Sequence, residues 1–208
     1  MMKRIHFVSY ADEFGNHVPS IEKVLEAGID LVQLRIKNRD DKACIKQAEE
    51  SKVLCNHYRA QLIINDRVNL SRQLDIRAVH LGQKDMPISE ARMLLGENCY
   101  IGGTANSLDQ MIALSEEGVD YIGLGPYRFT RTKENLSSIL GHAEIADTVR
   151  EFQAIGYKTP IYIIGGIVAS DFSTIAELPI AGIAVSSLFA NKSVKEIEVI
   201  KQNFEKGI

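Results

Sequence analysis

The sequence predicts a closed (β/α)8 barrel, a TIM barrel, built as one domain over residues 1–208. Three observations lead there. Short apolar runs alternate with helix-like stretches from one end of the chain to the other, which implies parallel strands joined by crossovers. Eight such units follow one another with no composition break and no low-complexity linker. Polar and glycine residues follow nearly every apolar run, at the end where this fold carries its active sites. A length of 208 residues is near the lower limit for such a barrel. An open doubly wound sheet is the main alternative.

The strand candidates are 4–9, 30–37, 60–65, 78–81, 100–103, 121–125, 161–165 and 182–186. The clearest helices are 40–57, 107–117, 142–155 and 193–204. Ser107 precedes Leu108, Met111, Ile112 and Leu114, an N-cap followed by an apolar stripe. In the second strand Val32, Leu34 and Ile36 alternate with Gln33, Arg35 and Lys37. Successive side chains point to opposite faces, so in a barrel the apolar trio faces the helices and the polar trio the lumen. Two cations lining a lumen are costly without an anion to neutralise them. An edge strand with a solvated polar face is the other reading.

Composition narrows the function. Hydrophobic residues make up 45% and charged residues 25%, the values of an ordinary soluble protein. The net charge of −3 offers no basic surface for nucleic acid. No apolar run approaches the ~20 residues of a membrane span. The first ten residues, with Lys3 and Arg4, lack the long apolar region of a secretory signal, and a cytoplasmic protein is expected. Cys44, Cys55 and Cys99 form no C-x-x-C pair and are expected as ordinary core or semi-buried residues, with neither a zinc site nor a disulfide framework.

Asp66 and Asp85 follow adjacent strands. Neighbouring strands lie ~4.8 Å apart, so both carboxylates could reach one cation. Mg²⁺ takes a few carboxylates, water and substrate phosphate oxygens; the plainer reading is a pair of turn residues. Thr130, Thr132 and Lys133 place two hydroxyls and an ammonium in four residues, enough to wrap phosphate oxygens, or else a solvated loop. No Walker pattern precedes them. Gly165 and Gly166 would let backbone amides approach an anion, or serve tight packing, and Ser186 and Ser187 add hydroxyls at the next strand end. Loops after strands seven and eight often bind phosphate in this fold. The histidines show no metal spacing. His57 is expected in solvent and His80 as a satisfied core residue.

Six segments taken together resemble one family: Val32-Gln33-Leu34-Arg35-Ile36-Lys37, Ile64-Asn65-Asp66-Arg67, Val79-His80-Leu81-Gly82-Gln83-Lys84-Asp85, Gly123-Leu124-Gly125-Pro126, Thr130-Arg131-Thr132-Lys133 and Ile164-Gly165-Gly166-Ile167. Their order and spacing are similar to those of thiamine phosphate synthases over about residues 4–190. The resemblance implies the barrel, a Mg²⁺ ion and two small-molecule substrates, a pyrimidine diphosphate and a thiazole phosphate. It implies Gln33 as a pyrimidine contact and Arg35, Lys37, Asn65 and Lys133 as diphosphate ligands. It implies Asp66 and Asp85 as Mg²⁺ ligands, Thr130 and Thr132 as hydroxyls near the phosphates, and Gly166, Ser186 and Ser187 as the thiazole phosphate cradle. Arg35, Lys133 and Thr104 are the catalytic candidates.

Two positions depart from the family pattern. Thr104 stands where a serine is usual, and Asn106 where a histidine is usual. Two rival readings remain. A thiazole tautomerase on a similar barrel would lack the intact Thr-x-Thr-Lys loop and use a histidine near strand five. A silent binder of thiamine precursors would not need a full Mg²⁺–diphosphate site.

Overall fold

The structure is a computed structural model and describes residues 5–129 and 139–207. Its strands are β1 (Ile5–Val8), β2 (Leu31–Leu34), β3 (Gln61–Asn65), β4 (Ala78–Leu81), β5 (Tyr100–Ala105), β6 (Tyr121–Leu124), β7 (Ile161–Ile164) and β8 (Gly182–Val185). Each pairs in parallel with the next, and β8 pairs with β1, closing the barrel. The helices are α1 (Val18–Glu26), α2 (Asp41–His57), α3 (Val68–Gln73), α4 (Ile88–Leu95), α5 (Leu108–Glu116), α6 (Gly141–Ala154), α7 (Phe172–Ile175) and α8 (Val194–Gly207). The closed barrel is the predicted one, and the open sheet is excluded.

Local signals account for several boundaries. Asp40 caps α2 by accepting from Ala43 N at 2.7 Å, and Ser107 caps α5 by accepting from Gln110 N at 3.3 Å. Both satisfy amides that have no partner within the helix. Val32, Leu34 and Ile36 are buried in the apolar layer between barrel and helices, as their alternation requires.

Two strand ends differ from expectation by more than one residue. β2 stops at Leu34, because the next amide, Arg35 N, donates to the Ser9 side chain at 3.0 Å rather than to a ladder carbonyl. Of the polar trio only Gln33 therefore lies in the strand. β5 runs on to Ala105 because pairing with β6 continues through Thr104↔Gly123 and Ala105↔Leu124. Thr104 thus sits inside a strand instead of in the loop after it.

The lumen has its own small core of Leu31, Ile63, Ala78, Tyr121 and Tyr162. The Tyr121 ring lies over Gly102, where a Cβ would fall 2.0 Å from Tyr121 Cζ. Only glycine fits there. The three cysteines are buried and unbridged. Among the described residues no helix is long and apolar enough to cross a membrane.

Candidate active site

Polar side chains gather at the C-terminal mouth of the barrel. Asn65 is the last residue of β3 and is buried. Asp66 follows with φ +63°, a left-handed conformation that aspartate tolerates better than most residues. Its amide donates to His80 O at 2.9 Å, tying this turn to β4. Asp85 closes the turn after β4, its Oδ2 accepting from Gly82 N at 2.6 Å. The two turns bring the Asp66 and Asp85 carboxylates within hydrogen-bonding reach of each other. Lys37, from the loop after β2, forms an ion pair with Asp66 Oδ2. That loop is braced by Arg67, which pairs with Asp41 and donates to Arg39 O.

Burial raises both carboxyls, with different outcomes. At Asp66 the hydrogen bonds with Asp85 and Lys37 outweigh burial and hold its pKa below the usual carboxylate value. At Asp85 burial and the adjacent Asp66 act in the same direction and raise it. Two adjoining carboxylates repel unless cations neutralise them, and Lys37 is paired with Asp66. A divalent ion would fill that need better.

The donor set fits magnesium. Among the described residues no three or more His, Cys, Asp or Glu side chains form a metal-binding group. Two carboxylates suit Mg²⁺, which typically takes one or two and completes its shell with water and substrate phosphate. Asn65 Nδ2, a buried donor on the residue preceding Asp66, has no partner among the described residues. Such a donor is uncommon in a finished structure, and a phosphate oxygen would satisfy it.

Deeper in the lumen lies a connected polar layer. Gln33 Nε2 is 3.3 Å from His6 Nε2. His80 hydrogen-bonds with Tyr121 OH through Nδ1 and with Thr104 Oγ1 through Nε2, both at 2.9 Å. Gln83 Nε2 donates to Thr104 O at 2.6 Å. His80 is thus the satisfied core residue expected, and it also fixes the Thr104 hydroxyl. Sequence reasoning gave no role to His6, Gln83 or Tyr121. The parity rule that put Gln33 in the lumen would also have found His80, flanked by outward-facing Val79 and Leu81.

The other candidates are distributed as follows. Arg35 is half-buried and Lys37 exposed, both on the loop after β2 rather than on its face. Gly166 lies at the end of β7, half-buried, with φ +70°. β8 ends at Val185, so half-buried Ser186 and exposed Ser187 fall after it, and Ser187 opens a short 3-10 helix. Thr130, Thr132 and Lys133 lie outside the described residues. Asn106, uninterpretable from sequence, donates through Nδ2 to Gly125 O, and its amide reaches Gln110 Oε1 at 2.7 Å. It fastens the end of β5 to the end of β6.

Paired carboxylates, a lysine and an unsatisfied amide at the mouth of a parallel barrel define the class: a (β/α)8 protein equipped for a phosphorylated, cation-associated ligand. Residues 5–189 match the family described as thiamine monophosphate synthase. A thiamine-phosphate synthase of Flavobacterium johnsoniae is 40% identical over 203 residues, covering 98% of this chain and 96% of the relative. One of Bacteroides fragilis is 40% identical over 185 residues, covering 89% and 91%. The solved thiamine phosphate pyrophosphorylase of Pyrococcus furiosus superposes with a TM-score of 0.84 at 26% identity, covering 99% of this chain and 96% of that one. The chain belongs to the thiamine monophosphate synthase family.

Proposed function

We propose that the chain is a thiamine phosphate synthase, a transferase that joins 4-amino-5-hydroxymethyl-2-methylpyrimidine diphosphate to hydroxyethylthiazole phosphate, or to its carboxylated form. The methylene C–O bond of the pyrimidine breaks, diphosphate leaves with the bonding pair, and the thiazole nitrogen lone pair forms the new C–N bond. The aminopyrimidine stabilises the positive methylene, so departure precedes attack. No general base is needed, since the thiazole nitrogen attacks with its own lone pair.

The observation that carries this reading is the Asp66–Asp85–Lys37 cluster beside the unsatisfied Asn65 amide. Asp66 and Asp85 would hold Mg²⁺. When bound, the ion supplies charge neutralisation for the departing diphosphate. Arg35, Lys37, Asn65 and Lys133 bind the diphosphate oxygens, and Thr130 and Thr132 add hydroxyls. Gln33 contacts the pyrimidine, with Thr104 beside it. Gly166, Ser186 and Ser187 hold the thiazole phosphate and so place its nitrogen behind the carbon, a contribution through positioning. The work is carried out by one domain spanning residues 1–208 in the cytoplasm, on small-molecule substrates rather than nucleic acid or membrane.

One observation weighs against the tautomerase reading. The position where that reaction would use a histidine is Asn106, whose side-chain amide is taken up by Gly125 O.

The test is to incubate the purified chain with both substrates and Mg²⁺ and follow thiamine phosphate and diphosphate. Both products in equal amounts, abolished by a chelator, are expected. Isomerisation of a thiazole without coupling would establish the tautomerase. Precursor binding without any conversion would establish a silent binder.

A further inference from the structure

One ion pair joins the segment leaving β6 to the turn after β7. Arg128 presents two guanidinium nitrogens to Asp171, NH1 to Oδ2 at 2.5 Å and NH2 to Oδ1 at 2.8 Å. This two-pronged geometry fixes angle as well as distance. The guanidinium also donates to Gly166 O at 3.3 Å. The backbone runs alongside: Tyr127 N donates to Ile164 O at 2.8 Å and Arg128 N to Gly165 O at 3.0 Å. A Cβ on Gly166 would lie 2.9 Å from Phe129 O and 3.0 Å from Arg128 Cβ, so the glycine turn is pressed against this segment.

Asp171 is anchored in its turn. Its side chain is 8% exposed, and Oδ2 accepts from Val168 N at 2.9 Å. Burial raises its carboxyl, but the bonds from Arg128 and Val168 outweigh that and keep it ionised. On the far side Leu140 N, just before α6, donates to Pro126 O at 3.1 Å. The residues next along the chain after Phe129 are Thr130, Arg131, Thr132 and Lys133.

We infer that Arg128 and Asp171 are a positioning pair, which clamps the segment leaving β6 against the glycine turn after β7 and so fixes the Gly166 turn that holds the thiazole phosphate. The inference rests on the function proposed above. Neither residue is assigned a contact with reacting atoms. Without Arg128 the Asp171 carboxylate keeps its bond from Val168 N, whereas a small misplacement of reacting groups can cost a large factor in rate. Loss of the pair is therefore expected in the kinetics before it is seen in the fold.

The experiment is steady-state kinetics with both substrates and Mg²⁺ on the wild type, Arg128→Gln, Arg128→Lys, Asp171→Asn and the Arg128→Gln/Asp171→Asn double variant. Thermal melting and calorimetric titration with the thiazole phosphate accompany it. Asp171→Asn keeps an acceptor for Val168 N and removes only the charge. Arg128→Gln is expected to lose about 10- to 100-fold in kcat. Its KM for the thiazole phosphate should rise more than that for the pyrimidine diphosphate, at near wild-type Tm. Asp171→Asn should match it, the double variant should be no worse than either, as one shared interaction requires, and Arg128→Lys should fall between.

Wild-type kcat and KM in Arg128→Gln would overturn the inference. So would losses that multiply in the double variant, or losses accounted for entirely by unfolding. Should Arg128→Gln not fold, Arg128→Lys and Asp171→Asn carry the same comparison. A wild-type chain that forms no product and binds no thiazole phosphate overturns the proposed function, and this role with it. An active wild type with indifferent variants overturns the role alone.

Discussion

Asp66 and Asp85 touch side chain to side chain from the turns after neighbouring strands, and the contact lowers the pKa of one while raising that of the other. Lys37 stands on the Asp66 side of the pair. The asymmetry makes Asp85 the carboxyl that an added cation would stabilise most, and it sets the first expected outcome.

Asp85→Asn is expected to remove Mg²⁺-dependent turnover while the barrel stays folded. Asparagine still offers an oxygen to Gly82 N, which Asp85 Oδ2 now serves at 2.6 Å, so the turn is preserved and only the charge is lost. Turnover measured across a Mg²⁺ titration, with far-ultraviolet circular dichroism on the same sample, decides it. A Mg²⁺ response equal to the wild type would remove Asp85 from the metal site.

Lys133→Ala is expected to lower kcat by about 100- to 1,000-fold, the usual cost of removing one donor from a developing charge. Negative charge grows on the bridging oxygen as the C–O bond breaks, and a cation near it binds the transition state better than the substrate. Arginine at this position should restore only part of the rate, since its planar fork places charge differently from a compact ammonium. A variant with wild-type kcat and a raised KM for the diphosphate substrate would make Lys133 a binding residue only.

Gly102→Ala is expected to destabilise the barrel by about 1–3 kcal/mol, the range for overpacking a filled core. The added Cβ would meet Tyr121 Cζ at 2.0 Å, and the ring has little freedom. Stacking against Tyr100 and the hydrogen bond to His80 both hold it. Urea unfolding measures the effect, and an unchanged midpoint would show that the lumen can relax around a methyl group.

Stability is expected to fall as the pH drops below neutrality. Burial, with His80 nearby, lowers the His6 pKa to about 3, whereas an unfolded histidine titrates near ~6.5. Between those values the unfolded chain binds a proton that the folded chain refuses. The contribution of His6 is thus fully present above the unfolded pKa and is lost as the pH falls. At pH ~5 the loss comes to about 2 kcal/mol. His6→Gln should flatten the dependence, with His17, lowered to about 4 mainly by burial, retaining part of it. Urea midpoints at the two pH values for both proteins provide the check, and parallel slopes would rule out His6 as the source.

Local patterning determined the alternation of eight strands and helices and where the chemistry would gather, while closure into a barrel came with the tertiary structure. Alternating Val32 and Leu34 had to face helices, Ser107 had to open a helix, and polar residues after apolar runs had to collect at one rim. These follow from spacing and capping, which act over a few residues. The tertiary structure decided which groups meet. Ser9 ends β2 from outside the strand, and His80 chooses Thr104 and Tyr121 as partners across the lumen. Asp66 finds Asp85, Asn106 fastens β5 to β6, and Arg128 reaches Asp171 from 43 positions away. Those pairings depend on strand register and on closure of the ring, and no periodicity within a single segment encodes either.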